Sequence, residues 1–356
     1  MSKESLCLKV PKIYGEKTII LADELEINNR ELEIQKDADF VYIPLLRRPR
    51  ENELTSFTKQ VSELQLLTRL FRERKKRAKT FVELLEGRLT PHELASLPRA
   101  VDIVGDIAII EIPRELKRHG KIIGEAVLQL HTNVRTVLSK AGAVSGTYRT
   151  REFTVIAGEQ RTVTVHREHG CKYYVDVAKV YFSPRLSYEH KRIASLVQEG
   201  ETVVDLFAGV GPFAVLIARN HENVMVHAVD VNPFAVELLK KNLRLNRVEN
   251  RVYPILGEAR EIARNRLGGV ADRVIMNLPE KAIEYVDAAC KTLKTSDGII
   301  HFYSFVKAEE KPETLQLRFT KAVENCGRKA EKILSVRTVR ETAPHEWQVA
   351  LDAKIH

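Results

Sequence analysis

From residue 173 to the C-terminus, short apolar runs alternate with segments whose apolar residues recur every three or four positions. ETVVDLF, NVMVHAVDVN, RVYPILGEA, DRVIMNLP and GIIHFYSF read as strands. FAVLIARN, PFAVELLKKNLRLN and KAIEYVDAACKTLK read as helices, with Pro233 at a first helical position. Strands alternating with helices predict a parallel, doubly wound α/β sheet. KILSVRTVRETAPHEWQVALDAKI breaks the rhythm: it reads as strand, turn, strand, a hairpin that places one antiparallel strand at the end of the sheet.

Upstream the texture differs. LCLKV and FVYIPL read as strands of a small α/β unit over residues 1–50. The polar segment that follows reads as a linker running into a helix over 51–75, on the helical spacing of Leu64, Leu67, Leu70 and Phe71. A basic run, Arg72 to Lys79, follows; it fits a solvated helix face or a phosphate-tracking surface. Residues 76–172 read as a middle α+β domain. In it RAVDIVGDIAIIEI forms a hairpin, GEAVLQLHTNVRTVLSK a helix, and the segment from GTYRTREFTV to VDVAKVYF consecutive antiparallel strands turning at Gly158-Glu159 and His169-Gly170. The catalytic-type α/β domain is expected over 173–356.

Composition narrows the classes. At 356 residues the chain can build more than one core. It has no apolar run of about 18 residues and no N-terminal signal pattern, so no membrane association and a cytoplasmic location are expected. Its four cysteines are far apart and form no C-x-x-C pair, which argues against zinc and against a disulfide framework. The net charge of +9 permits a nucleic-acid partner.

The chemistry gathers where the predicted strands end. VVDLFAGVGPF puts Gly209 and Gly211 in a turn between strand and helix, where the backbone can approach a ligand closely. Asp230 ends the next strand about 20 residues on, placed to accept from ribose hydroxyls; the plainer reading is a helix cap. Pro212 and Phe213 crowd the helix start where a pyrophosphate would sit, so the turn suits S-adenosylmethionine (SAM) better than a dinucleotide. The terminal hairpin agrees, being a feature of SAM-dependent methyltransferase sheets. Glu258, ending the third strand, is a second acid for the adenine amino group. VIMNLP ends the fourth strand on Asn277, at the edge where ligands bind, with Pro279 stiffening the loop.

These stretches, together with RTREFTVIAGE, VDVAKVYFSPRLSYEHKRI and AVDVNPFAVELLKKNLRLN, resemble the archaeal and eukaryotic tRNA (guanine-N1)-methyltransferases that act at position 37, beside the anticodon. The resemblance spans nearly the whole chain. It implies a Rossmann-like class I methyltransferase sheet preceded by two smaller α+β domains, with tRNA as partner, SAM as methyl donor and no metal. It also implies that the N-terminal domain checks the outer corner of the tRNA. A monomer is expected.

Methylating guanine N1 requires loss of its proton, so a base must stand within reach. By resemblance that base is Glu189, in SPRLSYEHKR; Arg149 would stabilise the charge displaced onto O6, and Asn277 would fix the guanine edge. Tyr181 would pack against the flipped base or its ribose, and Pro279, on the substrate side, would stiffen the loop on which a planar base stacks. The resemblance places His190, Phe207, Val231 and Ala259 around SAM, with Gly209, Asp230, Glu258 and Asn277. Plainer roles exist for several: a solvated carboxylate at Glu189, a strand-face ion pair at Arg149, core packing at Tyr181, a surface ring at His190. Glu258 stands where aspartate is usual, and NLPE departs from the N-P-P-Y form of nitrogen methyltransferases. The alternatives kept open are a dual activity that also methylates a carbon of a wyosine precursor, and an N6-adenine or other amino methyltransferase.

Overall fold

The computed structural model describes residues 2–74, 80–98, 100–142, 146, 148–310 and 312–356. It forms two compact units, Met1–Lys79 and Thr80–His356. In the first, four strands lie in the order Gln35–Lys36, Phe40–Pro44, Ser2–Pro11 and Gln65–Arg72, all antiparallel to their neighbours. Leu8, Val10, Ile43 and Phe57 pack its core with Ala22 of helix Gly15–Glu24.

The expected linker and helix over 51–75 are corrected here. Glu51–Thr58 is a helix, begun by Glu53 accepting from the Arg50 backbone N–H at 2.7 Å. Gln65–Arg72 is a strand paired along Ser2–Lys9. The leucine spacing misled because a short run fits both periods. Phe71 is fully buried, Arg69 lies over the Tyr42 ring, and Leu70 between them is 62% exposed, an alternation of two. Of the basic run, Arg72 ends this strand and Arg74 follows it; Lys75, Lys76, Arg77 and Lys79 lie outside the described residues.

The second unit opens with a four-stranded sheet. Val101–Val104 and Ile107–Ile110 form the expected hairpin. The helix expected over 124–140 is Gly120–Leu130 only; the chain then turns into strand Thr136–Lys140, parallel to Ile107–Ile110. Phe153–Gly158 pairs with that strand and not with the next one, so the expected run of consecutive antiparallel strands is broken at Gly158. Val163–Glu168 and Cys171–Asp176 form a separate hairpin turning at His169-Gly170. Asn242 and Asn246 of helix Pro233–Asn246 accept from its Tyr174 and Lys172 backbone N–H groups at 2.7 and 2.9 Å. The expected boundary at 172/173 therefore falls inside a strand that is pinned to the following layer.

The main sheet has seven strands: Thr202–Asp205, Met225–Asp230, Val252–Leu256, Arg273–Met276, Gly298–Lys307, Ala330–Ala343 and Glu346–Ile355. Counted along the chain, their spatial order is 3-2-1-4-5-7-6. The first five are parallel, and the seventh runs antiparallel between the fifth and the sixth, one place in from the edge where it was expected. Val203, Val204, Val274 and Ile275 are fully buried, as strands covered on both faces must be. Helices carrying Ile193, Phe213 and Leu239 cover one face; those carrying Ile262, Ala289 and Phe319 cover the other. Strand order reverses between the first and fourth strands, which opens a crevice beyond their carboxyl ends.

Candidate active site

A cavity of about 560 Å³ occupies that crevice. The first strand ends at Asp205, and the chain turns through Gly209 and Gly211, both with positive φ (56° and 89°), into helix Pro212–Asn220. The two glycines serve different ends. A Cβ on Gly211 would collide with Leu239 of the neighbouring helix, so its smallness seats the turn against the core. A Cβ on Gly209 would meet nothing closer than the Tyr181 carbonyl at 3.8 Å, and Gly209 lines the cavity.

Asp230 is held by this turn. Its Oδ2 accepts from the Gly209 N–H at 2.6 Å and its Oδ1 from the Asn232 N–H at 2.9 Å. Burial pushes its carboxyl up, against the pull of those N–H groups. The cap of the next helix belongs to Asn232, whose Oδ1 accepts from Phe234 N–H at 3.0 Å. Asp230 thus keeps unused lone pairs on the cavity wall, suited to a diol. Farther along, Glu258 caps helix Ala259–Asn265 and faces the cavity beside Val231 and Ala259. Phe207 and Tyr285 meet edge to face at 5.1 Å and give this part of the wall an aromatic surface on which a planar base can pack. The set fits the nucleoside of SAM: a close backbone, an acceptor for hydroxyls and an aromatic surface. Among the described residues no cluster of metal ligands occurs.

The rest of the wall is built from distant segments. Arg149 has a left-handed backbone (φ 53°), and its guanidinium stands 4.9 Å over the Tyr181 ring and 3.2 Å from the Glu280 carboxylate. Its ion partner is therefore not a neighbour on its own segment, and its buried Nε has no hydrogen-bond partner among the described residues. Asn277 follows the fourth strand onto the wall, and its Oδ1 accepts from Gln348 Nε2 at 3.2 Å. The Tyr181 hydroxyl accepts from Arg340 at 3.2 Å. His190 also faces the cavity; it is 1% exposed and no surface ring. Its Nδ1 lies 2.7 Å from Glu168, and its ring meets Phe213 edge-on at 4.6 Å. Burial would raise the Glu168 carboxyl, but His166 and His190 overcome it and hold it at about 2.

Two expected residues do not reach the wall. Pro279 lies behind it, between Leu278 and Glu280, which do line it, and its carbonyl accepts from Phe305 N–H at 3.3 Å. Glu189 is 1% exposed, so it is no solvated carboxylate, yet it is not on the wall either. It accepts from Tyr303 at 2.8 Å and from Arg192 at 2.8 Å, with Arg337 at 3.5 Å. The sequence reading missed Glu280, Lys281 and Tyr285 on the wall. Their signal was proximity to Asn277 in NLPEKAIEY. It also missed Arg340 and Gln348, which no motif marks.

Three family models cover most of the chain: the tRNA methyltransferase 5 N-terminal domain over 7–53, the TYW2 N-terminal domain over 81–162, and the TRM5/TYW2 methyltransferase domain over 164–334. The chain is 40% identical to tRNA (guanine(37)-N(1))-methyltransferase Trm5b of Pyrococcus abyssi, across 99% of each chain. It is 35% identical to the Trm5b of Methanocaldococcus jannaschii, again across 99% of each. Its structure is similar to that of aTrm5 in complex with tRNALeu, with a TM-score of 0.78 and 33% identity over 99% of this chain and 100% of that one. Relatedness over the full length, on a class I sheet whose crevice suits SAM, leaves one conclusion: the chain belongs to the family of archaeal and eukaryotic-type, SAM-dependent tRNA (guanine(37)-N1)-methyltransferases.

Proposed function

We propose that this protein transfers the methyl group of SAM to N1 of guanosine 37 in tRNA. The observation that carries this reading is one cavity lined by two chemically different groups of residues. Gly209, Asp230, Glu258, Phe207 and Tyr285 suit a nucleoside, and Arg149, Tyr181 and Asn277 suit a second planar base. When bound, SAM supplies an electrophilic methyl group on a sulfonium. The residues of this chain do the rest. Val231, Ala259 and the backbone at His190 complete the SAM side. Tyr181 offers a ring against which the flipped guanine or its ribose packs. Arg149, always charged, faces the oxygen onto which charge moves as the N1 proton leaves. Asn277 holds the edge of the base, and Pro279 stiffens the loop beneath it.

Glu189 receives the N1 proton in this proposal, which requires a change of partners once substrate is bound. Arg337, the most distant of its three partners, is the one to be released. The N-terminal unit is proposed to recognise the outer corner of the tRNA, with the remaining chain holding the anticodon branch as a cytoplasmic monomer. Among the described residues no helix is long and apolar enough to cross a membrane. The test is methyl incorporation from labelled SAM into two unmodified tRNA transcripts that differ only at position 37. Incorporation with guanosine and none with adenosine is expected.

A further inference from the structure

We infer that Arg340 and Gln348, on the terminal hairpin, fix Asn277 as a hydrogen-bond donor toward the cavity and so select a base with a carbonyl beside the methylated nitrogen. The inference deepens the proposed methylation of guanine and rests on it.

Arg340, as an arginine, can only donate. Arg340 is pinned at three points: Nε donates to Gln348 Oε1 at 2.9 Å, Nη1 to Ser183 Oγ at 3.0 Å, and Nη2 to the Tyr181 hydroxyl at 3.2 Å. The Gln348 carbonyl must therefore face Arg340, and its NH₂ group must face the other way. That group donates to Asn277 Oδ1 at 3.2 Å. Gln348 is 1% exposed, so no water can substitute for either partner if the amide turns over. Turning it would set NH₂ against guanidinium N–H. With its carbonyl engaged, Asn277 has Nδ2 left for the cavity it lines, and Nδ2 donates to no group among the described residues.

The consequence is a choice at purine C6. Guanine carries an acceptor, O6, beside N1; adenine carries an amino donor there. A donor at Asn277 complements O6 and opposes the adenine amino group, so the same relay disfavours an amino methyltransferase. It also adds a second donor, with Arg149, as charge builds on O6. Arg340 and Gln348 touch no substrate in this scheme; they are positioning residues.

The test measures kcat/KM for methyl transfer to transcripts with guanosine, inosine or adenosine at position 37, with SAM affinity by calorimetry as the check on folding. In Gln348→Glu the carboxylate still accepts from Arg340 but now faces Asn277 with an acceptor, which turns the asparagine amide around. A loss of about 100-fold on guanosine is expected, with SAM affinity unchanged, and inosine, which keeps O6, should lose as much. Gln348→Met removes the relay without inverting it. Added to Asn277→Ala, it should cause no further loss, because its effect runs through Asn277 alone. Additive losses in that double variant, or Gln348→Glu activity equal to wild type, would overturn the relay. A wild-type protein inactive on guanosine 37 would reject the methylation reading, and the relay with it. An active wild type with indifferent variants would reject the relay alone.

Discussion

The hydroxyl of Tyr303 donates to the carboxylate of Glu189 at 2.8 Å, in the interior and away from the cavity wall. Glu189 shares Arg192 with Asp352, which in turn contacts His301 at 2.6 Å. The carboxylate proposed as base thus starts inside a buried polar network.

That placement makes Glu189→Gln decisive. Glutamine keeps the shape and still accepts from Tyr303 and Arg192. If Glu189 only holds the network, transfer stays near wild type. If it takes the N1 proton, kcat falls by roughly 10²–10⁴ while SAM binds as before. Single-turnover transfer together with SAM calorimetry separates the two. Tyr303→Phe, by contrast, is expected to cost about 1–3 kcal/mol of stability, read by denaturant unfolding, because a buried carboxylate loses a donor.

Arg149 holds an uncommon backbone, and its Nε is unpaired among the described residues, both costs to the fold. Its pair with Glu280, which is half exposed, contributes little stability. Arg149→Gly is therefore expected to be no less stable than wild type, and as much as about 1 kcal/mol more so. Transfer should nevertheless fall by about 100-fold or more, since the donor to O6 is gone. Melting and kcat/KM measured on one preparation test this divergence.

The two glycines of the turn should separate binding from folding. Gly211→Ala, which drives a methyl into Leu239 at positive φ, is expected to cost roughly 2–4 kcal/mol. Gly209→Ala meets only the Tyr181 carbonyl, at 3.8 Å, and should cost only about 1 kcal/mol through its left-handed backbone. It should instead weaken SAM binding, because its methyl enters the cavity beside Asp230. Equal effects of the two on stability would contradict this division.

Asp205 is fully buried; its Oδ1 accepts from Phe207 N–H while Oδ2 has no hydrogen-bond partner among the described residues. Burial, with the charge of Asp230 nearby, pushes its carboxyl from 3.8 up to about 7. Between those values the folded chain keeps a proton that the unfolded chain has released, so its contribution to stability is lost as pH rises through about 7. Asp205→Asn is neutral throughout. Its stability relative to wild type should rise by roughly 2–3 kcal/mol between pH 5 and pH 8. Parallel unfolding free energies at the two pH values would show that Asp205 does not titrate there.

What could be read in the sequence follows from the range of the interactions. The turn through Gly209 and Gly211 was legible because it is local, and Asp230 because strand and helix lengths fix how far on the next acid falls. The strand Gln65–Arg72 was misread because a short apolar run fits two periods, and only its pairing with Ser2–Pro11 decides between them. The burial of Glu189 could not be read, since Tyr303 lies 114 residues away and nothing in SPRLSYEHKR announces it. The contact between Asn277 and Gln348 spans 71 residues and depends on the seventh strand entering beside the fifth. Motifs of backbone shape were visible, whereas the polar partners that aim the side chains were set by topology.

The proposed reaction marks one atom, guanine N1. The measurement that tests it most directly is nucleoside analysis of a guanosine-37 transcript after reaction with methyl-deuterated SAM, against standards of guanosine methylated at N1, N2 and N7. Label in N1-methylguanosine alone is the predicted result. Label in the N2 or N7 product, or in another nucleotide, would contradict it.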